Sequence, residues 1–211
     1  MKLLVLGATG KTGQLVLAAA RRVGHDVTVL VRDPARLPST AGLTVVTGDA
    51  TSGADLGRAL AGQDAVLGVV GGGYSVTSDI ASRVATALVP AATAAKTGRV
   101  VVLSALGAGE SRAKCSTFQK IAFGTVMNAV YNDKAKGDAL LRASDLDYTI
   151  AQPVTFKEKP ATGRITLTDV ADMKPLSGFP KVPRADVAET LVAIASGAEW
   201  LRRTVAITPA A

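Results

Sequence analysis

The apolar run Leu3-Leu4-Val5-Leu6 passes directly into Gly7-Ala8-Thr9-Gly10-Lys11-Thr12-Gly13 and then into the helix-forming stretch Gln14 to Val23. A buried strand, a glycine turn and a helix in that order leave few folds open. In a parallel α/β sheet such a turn aims the free N–H groups of the helix start at whatever lies above the sheet, and a pyrophosphate suits that position. Gly7 permits the tight bend, Gly10 lets the backbone approach the phosphates, and Gly13 lets the helix pack close to the strand. The spacing is GxxGxxG rather than GxGxxG. The expected cofactor contacts from this turn are Gly7, Thr9, Gly10, Lys11, Thr12 and Gly13.

Short β-branched runs then recur at helix-length intervals, the pattern of a parallel sheet covered on both faces. The strands read as Leu3 to Leu6, Asp26 to Val31, Thr44 to Thr47, Ala65 to Val70, Val100 to Leu103, Tyr148 to Ala151 and Val205 to Thr208. Between them apolar positions shift to helical spacing: Val16, Ala19, Ala20 and Val23; Val84, Ala87, Leu88 and Ala91; Val187, Leu191 and Ile194. With 211 residues, 48% of them apolar, the chain suits one domain over residues 1–211. The expectation is a single Rossmann-type, doubly wound, mostly parallel α/β sheet with helices on both faces. Val154 to Pro183 is less periodic and reads as a substrate-side excursion with a short strand near Arg164 to Thr168.

Several function classes fall away. The formal charge of +7 invites nucleic acid, but Lys and Arg are dispersed and aromatic residues make up only 4%, so no basic run is interleaved with stacking rings. The single histidine, His25, lies in a turn at the sheet edge opposite the expected ligand crevice, which removes Ser-His-Asp hydrolases and histidine-ligated metals. The lone Cys115 excludes an intrachain disulfide and fits a reducing compartment. Val84 to Ala95 is too short to cross a bilayer and is interrupted by Pro90, so it reads as a buried helix. A cytoplasmic protein is expected, a monomer or weak homodimer, with no metal, membrane or nucleic-acid partner.

The end of the second strand selects the cofactor. An Asp or Glu there would bond a ribose 2′-hydroxyl and repel a 2′-phosphate. This chain reads Leu30-Val31-Arg32-Asp33, so Arg32, helped by Thr12 and Arg36, is expected to pair with the 2′-phosphate of NADPH, while Asp33 caps the turn. After the third strand Gly48-Asp49-Ala50 places Asp49 and Ala50 by the adenine. After the fourth, Gly71, Gly72 and Gly73 offer bare backbone to ribose and pyrophosphate.

These segments, with Gly62-Gln63-Asp64-Ala65-Val66 and Leu140-Leu141-Arg142-Ala143-Ser144-Asp145-Leu146-Asp147-Tyr148, resemble the atypical short-chain dehydrogenase/reductase group, in particular NmrA-like proteins and the flavin reductase/biliverdin-IXβ reductase branch. The resemblance spans nearly the whole chain. It implies NADPH binding, with hydride passing to a flavin, quinone, bilin or similar small conjugated acceptor; FMN or FAD would then be a substrate. It implies Ser104 near the nicotinamide, Lys134 on the nicotinamide ribose and Pro153 beside the cofactor. Where the reductase branch carries a histidine, this chain has Gln152-Pro153-Val154, so no role of that histidine transfers. The dehydrogenase pattern Tyr-x-x-x-Lys is shortened to Tyr131-Asn132-Asp133-Lys134. Spacings of three and four both leave a pair on one helical face, so Ser104, Tyr131 and Lys134 are the candidate catalytic residues for a carbonyl acceptor. A flavin takes hydride on a ring nitrogen and its proton from water, so it needs less. Acceptor-site segments are expected around 104–134 and 152–183, with Phe118, Phe123 and Phe156 over the acceptor and Gly107, Gly109 and Gly124 as hinges. Pro183 to Val187 reads as the structural start of the last long helix, with Asp186 in its first turn. The alternative is an NmrA-like redox sensor that binds the nucleotide without turnover.

Overall fold

Leu3, Leu4, Val5 and Leu6 are all without solvent exposure, which a strand achieves only with both its faces covered. Leu3 and Val5 join one core with Val16, Ala20, Val187 and Leu191; Leu4 and Leu6 join a second with Leu56, Val84, Leu88 and Leu141. In the computed structural model, which describes residues 1–71, 79–116, 119 and 127–210, these two cores lie on opposite sides of one eight-stranded sheet.

The strands are β1 (Lys2–Leu6), β2 (Asp26–Val31), β3 (Leu43–Thr47), β4 (Ala65–Gly68), β5 (Arg99–Leu103), β6 (Tyr148–Pro153), β8 (Ile165–Asp169) and β10 (Arg203–Pro209), in the order β3-β2-β1-β4-β5-β6-β10-β8. All neighbours are parallel except β8, which runs antiparallel to β10. Helices α1 (Lys11–Arg22) and α5 (Arg184–Ser196) cover one face; α2 (Gly53–Leu60), α3 (Ile80–Ala94) and α4 (Asn128–Arg142) cover the other. The chain leaves β1 toward β2 and leaves β4 toward β5 on the other side, so a crevice opens above the carboxyl ends of β1 and β4.

The expected doubly wound sheet is therefore present, and the differences are local. β4 leaves regular pairing after Gly68, although Val69 N–H still donates to Leu6 O at 2.9 Å. Val23 is 55% exposed: it is the C-cap of α1 and has left helical geometry, so it does not extend the buried stripe of Val16, Ala19 and Ala20. On α3 the fully buried set is Val84, Ala85, Leu88 and Ala92, with Ala87 and Ala91 only half-buried, because α3 is wedged between α2 and α4 and buries a wider face. The excursion holds the expected strand as β8, plus a two-stranded parallel pair, β7 (Thr155–Lys157) with β9 (Lys181–Pro183).

Several buried polar groups fix this frame. Asp186 is structural, as expected: its carboxylate accepts from Thr162 N, Thr162 Oγ1 and Gly163 N at 2.7–2.8 Å and so pins the excursion to α5. Arg99 donates to the carbonyls of Asp147, Ile194 and Glu199 and to Thr149 Oγ1, joining the end of α5 to β5 and β6. His25 sits at the opposite sheet edge from the crevice, with Nε2 2.8 Å from Ser196 Oγ. Asp133 of α4 accepts from Ala81 N, Ser82 N and Ser82 Oγ, supplying the cap that the N-cap residue of α3, Asp79, does not. Asp133→Ala should destabilise the protein by about 1–2 kcal/mol in urea unfolding. An unchanged midpoint would mean that this cap contributes nothing.

Candidate functional site

The glycine turn is built so that two of its three glycines admit no side chain. Gly7 has φ +85°, and a Cβ there would lie 2.8 Å from Val69 O. At Gly13 a Cβ would lie 2.1 Å from Gly7 O, because α1 presses against the turn. Gly10 differs: the nearest atom to its Cβ position is Gly7 O at 3.4 Å, so the fold itself tolerates a methyl there. Gly10 N–H donates to Gly7 O, and Gly10 caps α1 without a side chain. No acid occupies the first turn of α1, so the positive end of the helix dipole meets the crevice uncompensated.

From this turn a continuous cleft of ≈ 850 Å³ runs across the carboxyl ends of the strands. Gly7, Thr9, Gly10, Lys11, Thr12, Arg32, Arg36, Asp49, Ala50, Gly71, Ser104, Tyr131, Lys134, Pro153 and Phe156 all line it. Gly13 does not; it is buried at the helix–turn contact, so its part is packing and not direct cofactor contact. Gly72, Gly73, Phe118, Phe123 and Gly124 lie outside the described residues. Gly107 is no free hinge, since its N–H donates to the buried Ser111 Oγ at 2.8 Å.

At the β2 end Arg32 and Arg36 are exposed on the cleft wall. Asp33 caps the 3₁₀ turn Pro34–Arg36 through Ala35 N, as its position suggested. Asp49 Oδ1 accepts from Thr51 N and Thr51 Oγ1, and these bonds, aided by the charges of Arg32 and Arg83, hold its carboxyl below the usual range. Asp49 N–H donates to Asp55 Oδ2, and the same Asp55 side chain packs against Gly48.

At the other end stand Ser104, Tyr131 and Lys134. Tyr131 is 8% exposed, packed with Ala108 and Cys115, and shares the cleft side of α4 with Lys134 despite the shortened spacing. Lys134 Nζ donates to Leu103 O at 3.3 Å; burial lowers its pKa, and Asp138 and Asp133 pull the other way. Ser104 Oγ donates to Asp138 Oδ2 at 2.7 Å, and Gln152 Nε2 donates to the same oxygen at 3.0 Å. Gln152 is 1% exposed and does not line the cleft, so it does not stand in for the reductase branch's histidine. Burial pushes the Asp138 carboxyl up, with the Ser104 bond and the Lys134 charge opposing.

The folded chain thus keeps the Asp138 proton to higher pH than the unfolded chain does. Native stability should fall as pH rises from the ordinary carboxyl range through this raised titration, and Asp138→Asn should remove that slope in urea melts across pH. Identical slopes for the two proteins would contradict the burial argument.

The sequence reading missed a second cluster. Arg184, first residue of α5, donates from Nη1 to Thr12 Oγ1 at 3.0 Å, is paired with Glu158 at 2.7 Å, and lies 4.2 Å from the centroid of the Phe156 ring. The Thr12 hydroxyl is therefore engaged by α5. Glu158, Phe179, Met127, Val130 and Gln119 also line the cleft. Among the described residues no metal-ligating cluster occurs, and no helix is long and apolar enough to cross a membrane.

A family model described as NAD(P)H-binding matches residues 7–197. Uncharacterized sugar epimerase YhfK of Bacillus subtilis (strain 168) is 29% identical over 201 residues, covering 92% of this chain and 87% of that protein. ChuY, an anaerobillin reductase from Escherichia coli O157:H7, superposes with a TM-score of 0.82 at 25% identity over 99% of this chain and 97% of its own. A wide-type short-chain dehydrogenase/reductase from Veillonella parvula DSM 2008, solved in complex with NADP, has the same fold, with a TM-score of 0.80 at 18% identity over 98% and 94%. The glycine turn, the start of α1 with no side-chain cap and the cleft above β1 and β4 are parts that suit a nicotinamide dinucleotide, and the chain belongs to the NAD(P)H-binding family.

Proposed function

We propose that the protein is an NADPH-dependent reductase that passes hydride to a flavin, quinone, bilin or similar conjugated acceptor. The observation that carries this reading is the continuity of one cleft from the glycine turn to Ser104, Tyr131, Lys134 and Phe156. A dinucleotide fits the residues present: Gly7 and Gly10 leave backbone bare where a pyrophosphate would lie, and the first turn of α1 offers it N–H groups. Arg32 and Arg36 would hold a 2′-phosphate, Asp49 and Ala50 would border the adenine, and Gly71, Lys134 and Pro153 would border the nicotinamide half.

When bound, the reduced nicotinamide supplies hydride; everything else falls to the chain. Phe156, with Arg184 stacked on it, presents an aromatic surface beside the nicotinamide end, where a planar acceptor stacks. Leu106, Met127, Val130 and Val154 line the same cleft and give it an apolar wall. Ser104 and Tyr131 bring hydroxyl groups to the same end, where a proton must arrive with the hydride. Lys134 keeps positive charge near the developing anion.

Steady-state consumption of NADPH with FMN, a quinone or a bilin tests the reading. Turnover with at least one member of the panel is expected. Net consumption also separates a reductase from an epimerase, the activity in the name of the Bacillus relative, which returns its hydride every cycle. Tight NADPH binding without consumption on any panel would instead favour a redox sensor.

A further inference from the structure

Ser104 stands between two cavities. The open cleft and a small inner cavity of ≈ 30 Å³ share Val70, Leu103, Ser104 and Lys134, so these residues form the wall between them. Asp138 lines only the inner cavity, and from there its Oδ2 accepts from Ser104 Oγ and Gln152 Nε2. Among the described residues, the charged groups around it are few. On α4, Lys134 faces the same cavity, Arg142 acts from one turn further on, and the Asp133 carboxylate is turned away to cap α3. α3 contributes Ala81, Val84, Ala85 and Leu88, the end of β5 contributes Ser104, and β6 contributes Gln152.

A serine hydroxyl has one proton and donates it in one direction at a time. With Asp138 ionised, Ser104 donates inward and shows the cleft only lone pairs. With Asp138 protonated, the carboxyl O–H donates to Ser104 Oγ, and the serine proton turns into the cleft. We propose that Asp138 is the positioning residue of this site: it sets the direction of the Ser104 hydroxyl and, through Ser104, supplies the proton that the acceptor takes up. The proposal rests on the reductase reading above.

Protons balance without any electron passing through the protein. A heteroatom of the acceptor, which has gained hydride, takes the Ser104 proton; the serine O–H bond breaks and is replaced by a bond to the Asp138 proton, leaving a carboxylate. A proton from the Lys134 ammonium, itself replaced from solvent, restores the acid. The inner cavity has room for the one water needed to carry it.

The first test needs neither cofactor nor turnover. In the free protein labelled with ¹³C at its aspartate carboxyls, one signal should titrate above the ordinary Asp range and be absent from Asp138→Asn. Its midpoint should rise further in Ser104→Ala, which removes a donor to the carboxylate. A signal titrating in the ordinary range, or one that Ser104→Ala leaves unmoved, overturns the proposal. The second test is the pH profile of kcat. The amide introduced by Asp138→Asn offers Ser104 and Gln152 the same oxygen but carries no acidic proton, so this variant should lose the wild-type rise toward low pH, by roughly tenfold or more, and run flat. A profile parallel to wild type overturns the proposal while the reductase reading stands; absence of turnover in every protein overturns that reading, and the carboxyl titration still decides whether Asp138 governs Ser104.

Discussion

Gly13→Ala should lower the unfolding free energy by about 3 kcal/mol and abolish measurable nicotinamide binding, whereas Gly10→Ala should fold nearly normally and lose binding alone. The difference follows from where each new methyl would go. At Gly13 it would lie 2.1 Å from Gly7 O and 2.8 Å from Ala8 Cα, a backbone collision that only a displacement of α1 relieves. At Gly10 it meets Gly7 O at 3.4 Å, an ordinary contact, so less than about 1 kcal/mol should be lost at this capping position. In the proposed site that methyl would project where the pyrophosphate approaches, and NADPH affinity should fall by roughly tenfold or more. Urea melts and fluorescence titration of both variants check this. A Gly10→Ala protein that binds as well as wild type would remove the glycine turn from the site.

The second large effect is on cofactor choice. Arg32→Ala should weaken NADPH by a factor of about 30–100 and NADH by less than about threefold, the range expected for one charge-assisted pair with a phosphate. Arg32 is exposed on the cleft wall, and Asp33, which also lines the cleft, has its Oδ1 engaged by Ala35 N. Asp49, though ionised, is held by Thr51. Titrating both dinucleotides into wild type and variant separates the cases, and equal affinity of the unmutated protein for both would sink the NADPH assignment.

The parts of this molecule that depend on local order were legible in the chain. The glycine spacing and the both-face apolar strands each lie within a few residues of what they determine, so the sheet and the turn at the head of the cleft could be read directly, and Arg32 could be placed on the cleft wall from its position at the end of β2. Contacts between distant segments could not. Arg184 meets Thr12 across 172 residues, and nothing in Pro183-Arg184-Ala185 distinguishes a guanidinium stacked on Phe156 from a solvated helix start. Asp138 left a trace that was passed over: it follows Lys134 by four residues on one helix, so both had to face the same side. Its bond to Ser104 depends on how α4 packs against β5, which spacing alone does not fix. Val23 fitted the stripe of α1 by periodicity and fell outside it because the helix ends at Arg22.

The most direct test of the central claim is a single turnover. Protein saturated with NADPH is mixed without oxygen with FMN, a quinone or a bilin, and nicotinamide absorbance and acceptor reduction are followed together. One equivalent of acceptor reduced for each NADPH lost, at a rate well above that of the free cofactor, is the predicted result. Bound NADPH that stays reduced beside every acceptor would contradict it.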